Sequence, residues 1–130
     1  MRKKNYMQRV ELIVEKSEKK LWGRVTYNEN LIADEADSFE ELETKFRILL
    51  KDFENLESIS FDVRFDVNAL FDHFDFINVS KFAKYAGINA GLMRQYASGV
   101  KHPRKEQAEK IESALHRFSK EAAKTSILAA

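Results

Sequence analysis

Two sets of residues in this 130-residue chain have types and spacings that could do chemistry. The first is four carboxylates, Glu11, Glu15, Asp62 and Asp66, spread over two strand-like runs. Such a set could serve a two-metal phosphodiesterase if its oxygens converged around metals about 4 Å apart. Alternating acids are also the ordinary way a half-exposed strand solvates its outer face, so the chain is expected not to be an enzyme. His73, His102 and His116 are scattered, with no cysteine beside them and no helical His pair. No metal site and no cofactor are expected from them.

The second set is the segment VSKFAKYAGINAGLMRQYASG, residues 79–99. Two helices meeting at a sharp angle through a short turn need three things. They need a small residue where they cross, a glycine in the turn, and apolar residues that pin the second helix. Ala83, Gly87, Ile88 and the stripe Leu92, Met93 and Tyr96 supply these at workable spacings. Gly99, Lys101 and Pro103 follow as a closing glycine and a basic, proline-marked exit. On these residues the segment resembles the phage-repressor-like helix-turn-helix family. The resemblance implies a DNA-recognition helix from Asn89 to Ser98, with Asn89, Ala90, Gly91, Arg94, Gln95 and Ser98 turned outward to the bases. Arg94 is suited to guanine and Gln95 to adenine in the major groove. Lys81, Lys101, His102 and Arg104 are expected on phosphates, where they hold register without reading sequence. Ala90 and Gly91 bring no hydrogen-bonding side chain, and glycine at a helix start costs up to ~1 kcal/mol in propensity.

The elements that position these residues follow from periodicity. Val10, Leu12 and Val14 alternate with polar residues, then Leu21, Gly23, Val25 and Tyr27 alternate with Trp22, Arg24 and Thr26, predicting a hairpin. Residues 31–34 are expected to return as a third strand, and Phe61, Val63 and Phe65 as a fourth. Between them Ser38-Phe39-Glu40-Glu41 reads as a capping box. Phe39, Leu42, Phe46, Leu49, Leu50 and Phe53 then give one apolar helical face, ending near Asn55. The remainder is helical, with Asp66, Asn78 or Ser80, and Asn89 as candidate caps. Its last helix carries the seam Ala108, Ile111, Leu115, Phe118 and Ala122, from which a homodimer is expected.

Over the whole chain, VELIVEKSEKKLWGRVTYN, IADEADSFEELETKFRILLKDF and FDVNALFDHF through AGINAGLMRQYASGVKHPRKEQAEKIESALH resemble the HicB-type antitoxins. The likeness is to the longer variant with a C-terminal helix-turn-helix. The resemblance implies an α+β fold with a β-β-β-α-β, partial ribonuclease-H-like domain over residues 1–66. An all-α helix-turn-helix domain over residues 67–130 would follow. It implies an antitoxin that neutralises a small basic HicA-type RNase toxin and represses its own operon by binding promoter DNA. The toxin contacts are expected at Asp34, Glu35, Asp37, Glu40 and Glu41. The alternative is a stand-alone regulator whose N-terminal domain only dimerises.

Charge is divided along the chain in a way the net +1 conceals. Residues 1–27 hold 8 basic and 3 acidic side chains, residues 28–77 hold 4 and 14, and residues 78–130 hold 10 and 4. These give +5, −10 and +6, the asymmetry of a polyanion-binding end beside a different partner surface. No apolar run approaches the roughly 20 residues of a membrane helix, and the basic start is followed by no signal-like stretch. A cytoplasmic protein without membrane contact is expected.

Overall fold

A computed structural model describes residues 7–129. The chain begins with three strands, β1 (Gln8–Ser17), β2 (Lys20–Tyr27) and β3 (Asn30–Ala36). Helix α1 (Phe39–Glu54), strand β4 (Ile59–Phe65) and helix α2 (Val67–His73) follow. Three more helices complete it: α3 (Val79–Ala86), α4 (Ala90–Ser98) and α5 (Lys105–Ala123).

The strands form one sheet in the order β3-β2-β1-β4. β1 and β3 each pair antiparallel with β2, while β4 pairs parallel with β1. A parallel neighbour needs a crossover, and α1 is that crossover, carrying the chain from one edge strand to the other. The turn between β2 and β3 places Asn28 and Glu29 at φ 49° and 66°, the double left-handed geometry that suits the strands' own twist. Val10, Leu12, Val14, Leu21 and Val25 face inward from the strands and meet Leu42, Phe46 and Leu50 of α1, all buried. Gly23 lies where the helix comes closest. A Cβ there would stand 2.6 Å from Phe46 Cε2, so glycine is what lets α1 seat on β2.

Ser38 caps α1, accepting from Glu41 N at 3.1 Å. The Glu41 carboxylate accepts from Asp37 N at 3.3 Å, one residue before the position a standard capping box predicts. Asn55 ends the helix at φ 57°. Phe53, expected on the apolar face, is 74% exposed and stands outside the core. A seven-residue step puts it in line with Phe46, but periodicity does not say how far the core beneath the helix extends.

The fold class expected from sequence needs correction. Among the described residues the chain is an α+β arrangement of one four-stranded sheet and five helices, with the strands and α1 leading and the other four helices after them. It is not a ribonuclease-H-like domain joined at residue 67 to a separate all-α domain. The chain divides instead between His73 and Phe74, so α2 belongs with the sheet. The reason is local. Asp66 N donates to Val14 O at 2.9 Å, continuing the β1–β4 ladder, while Asp66 Oδ1 accepts from Ala69 N at 2.7 Å and caps α2. One residue ends the strand and starts the helix, which leaves no linker. His73 at the end of α2 lies against Phe39 and Phe65, with ring centroids 4.7 and 5.3 Å away.

In the second unit α3 packs on both α4 and α5. Phe82, Ala83, Ile88, Met93, Tyr96, Ile111 and Ala114 are its buried residues. Of the seam expected along α5, only Ile111 is fully buried. Leu115 is half-buried, and Phe118 and Ala122 are exposed. Among the described residues no helix is long and apolar enough to cross a membrane.

Candidate nucleic-acid interface

Helices α3 and α4 are separated only by Gly87, Ile88 and Asn89, and each of the three has a distinct task. Gly87 adopts φ 75°, a left-handed position that a Cβ would strain, and its N–H closes α3 onto Ala83 O and Lys84 O. Ile88 is buried, and its N–H reaches Ala83 O at 2.9 Å. Asn89 caps α4 by accepting from Leu92 N at 3.1 Å. Upstream, Asn78 caps α3 by accepting from Lys81 N at 2.9 Å, which decides between the two candidate caps. Met93 and Tyr96 are buried and anchor α4, with Leu92 half-buried beside them.

That anchoring turns a defined row outward. Asn89, Arg94, Gln95 and Ser98 are exposed, while Ala90 and Gly91 are half-buried on the first turn. Ser98 Oγ donates back to Gln95 O at 3.1 Å, and Arg94 Nη1 donates to Ser80 Oγ of α3 at 2.9 Å. The six residues expected to read bases therefore share one helix, with four of them exposed. Of the four expected phosphate contacts, Lys81 is exposed in the first turn of α3. Lys101, His102 and Arg104 are exposed in the segment between α4 and α5. These three border a recess of about 510 Å³ with Leu92, Tyr96, Gln107 and the acidic Glu106. Gln107 Oε1 is buried with no hydrogen-bond partner among the described residues. Lys84 and Lys105 add further exposed cations in the same unit.

The electrostatics of the two units differ sharply. Every ion pair among the described residues lies in the first: Arg9–Asp62, Lys16–Asp72, Lys20–Asp37, Arg24–Glu15, Lys45–Glu41 and Arg47–Glu43. The second unit contains none among its described residues. Two of its exposed cations are engaged by neutral groups: Arg94 by Ser80, and Arg117, whose Nη2 donates to Tyr85 O at 2.8 Å while the guanidinium lies 4.3 Å from that ring.

The acids expected to meet a toxin are placed less simply. Asp34 and Glu35 are half-buried on the edge strand β3, where Asp34 Oδ1 accepts from Glu35 N and Glu35 O accepts from Lys45 Nζ. Asp37 is bound by Lys20 at 2.6 Å, and that hydrogen bond, ahead of the charge itself, holds its carboxyl below the usual range. Glu41 serves the helix cap, and Glu40 is exposed in the first turn of α1. Three of the four carboxylates considered as a hydrolytic set are also engaged. Glu15 holds Arg24, Asp62 holds Arg9, and Asp66 caps α2, while Glu11 stands opposite Asp62 in the ladder. No three metal-binding side chains converge among the described residues. Trp22, on the outer sheet face beside Glu15 and Glu35, is 45% exposed.

Ser80 is the site residue that sequence reasoning missed. It sits fourteen positions from Arg94 on another helix, so neither periodicity nor motif links the two. No family model, curated protein or solved structure matches this chain.

Proposed function

We propose that the protein is a DNA-binding transcriptional regulator and not an enzyme, with α4 entering the major groove and the surrounding cations resting on phosphates. The observation that carries this reading is the set of exposed cations without acidic partners on the unit that also displays Arg94, Gln95 and Ser98. Lysines and arginines held in no close ion pair are ready to replace the counterions of a polyanion. The short turn with its glycine and asparagine cap holds α4 at a fixed place on α3, as a groove-reading helix requires. Selection from random duplexes at moderate salt tests this. Enrichment of a two-fold motif with half-sites about one helical turn apart is expected. Failure to enrich any motif contradicts it.

The finer reading is a cytoplasmic antitoxin that represses its own promoter as a homodimer and binds a small basic RNase toxin through the first unit. Its support is the acidic stretch at β3 and the start of α1, with Trp22 as a half-exposed aromatic on the neighbouring sheet face. Charge reversal at Glu35 and Glu40 should then weaken toxin binding and spare operator binding. Co-purification from the native operon is the direct check, and a monomer at tens of micromolar by light scattering would remove the dimer. A stand-alone regulator is the second reading. It is favoured by the engagement of Asp37 and Glu41 in the protein's own contacts, which leaves fewer acids for a partner.

A further inference from the structure

We propose that Ser80 and Gly91 are positioning residues that hold Arg94 for base reading and so set the sequence preference of α4. This rests on the DNA-binding reading and goes beyond it, because neither residue itself needs to touch a base.

Arg94 is exposed, yet its Nη1 is fixed by Ser80 Oγ at 2.9 Å. Asn78 caps α3, so the Ser80 hydroxyl is not used at the helix start and is left for the arginine. A guanidinium presents its donors in a rigid planar fork. A bond at Nη1 leaves the edge formed by Nε and Nη2, whose two parallel N–H groups match guanine O6 and N7. A long side chain ordered before binding loses less freedom on contact, which favours the site that matches its fixed direction.

Gly91 supplies the room. Its φ is not left-handed, so no turn geometry requires glycine there. A Cβ at Gly91 would stand 3.7 Å from Arg94 Nη2 and 3.1 Å from the capping Asn89 Oδ1. Alanine would already crowd the cap, and a longer side chain would compete for the space that the guanidinium occupies. The glycine that weakens α4 by propensity therefore keeps both the cap and the arginine in place.

The test uses the full chain and the motif enriched by selection from random duplexes. Binding to that site, to each single-base variant of it and to an unrelated duplex is compared for wild type, Arg94→Ala, Ser80→Ala, Ser80→Thr and Gly91→Leu. Thermal melts establish that each variant is folded. Arg94→Ala is expected to remove discrimination of roughly five- to 150-fold at one base pair. Ser80→Ala should lose most of the discrimination at that same base pair while binding the unrelated duplex as wild type does, and Gly91→Leu should lose that discrimination as well. Ser80→Thr, which keeps the hydroxyl, should retain it. If Ser80→Ala discriminates fully where Arg94→Ala does not, the positioning role is overturned while DNA binding stands. If Arg94→Ala relaxes no base pair, Arg94 is not a reader and the proposal falls with it. If no motif is enriched at all, the DNA-binding reading itself fails and takes this one down.

Discussion

The sheet-containing unit and the helical unit hold similar numbers of basic residues but pair them to different extents. In the first, Arg9, Lys16, Lys20, Arg24, Lys45 and Arg47 are each matched to a carboxylate while, among the described residues, Lys19, Lys51 and Arg64 are not, and its apolar side chains close around Phe46. In the second, no ion pair forms among the described residues, and exposed lysines and arginines surround a small interior. A net charge of +1 for the chain hides this entirely. Surface ion pairs contribute little to stability, so pairing in the first unit matters chiefly because it cancels field. The absence of pairing in the second preserves field where a polyanion could use it.

The largest expected effect falls on the first unit's core. Phe46→Ala should cost about 3–5 kcal/mol in denaturant unfolding, since the ring is fully buried between α1 and the sheet. A loss below about 1 kcal/mol would show that the core is not organised around Phe46. Next comes the turn of the second unit. Gly87→Ala places a Cβ at φ 75° and should destabilise by about 1–2 kcal/mol. Operator affinity should fall with it, because the turn sets how α4 is presented. Unchanged stability would mean the backbone there relaxes freely.

The smallest effect concerns Lys20 and Asp37. Asp37 is held below its ordinary carboxylate range and Lys20 above its ordinary ammonium range, in both cases chiefly by their mutual hydrogen bond. The contribution of Asp37 is therefore present above the ordinary carboxylate range and lost as pH falls through its lowered value. That of Lys20 is lost only as pH rises through its raised value. Asp37→Asn should flatten the acid side of the thermal midpoint profile slightly and leave neutral pH nearly unchanged, as suits a pair open to solvent. A large drop at neutral pH would mean the pair organises β3 and the start of α1.

Much of the secondary structure was legible because alternation and capping are local. The β1–β2 hairpin, the Ser38 start and Asn55 end of α1, and the cap at Asn89 follow from neighbouring residues, while the α3 cap was narrowed to Asn78 or Ser80. What was not legible depends on distant partners. The placement of α2 with the sheet hinges on Asp66 bonding both to Val14 and to Ala69, and a helical pattern alone does not say which core a helix joins. Phe53 has the right phase and no core beneath it. At the candidate site the outward row of α4 followed from its buried stripe, whereas the Ser80–Arg94 contact required the two helices to be assembled. The acidic stretch was readable as composition, but Lys20 and Asp37 meet only once β2 and β3 are paired.

The most direct test of the difference between the two units is the salt dependence of equilibrium DNA binding by the full chain, on the enriched duplex, for wild type, Lys101→Ala and Lys16→Ala. Affinity should fall steeply as salt rises, with log K linear in log salt. Lys101→Ala should weaken all sequences alike and reduce the slope by about 1, the signature of one lost phosphate contact. Lys16→Ala, which removes a cation already paired with Asp72 in the first unit, should leave the slope unchanged. Equal slope changes for both variants, or binding indifferent to salt, would contradict the assignment of the polyanion surface to the second unit.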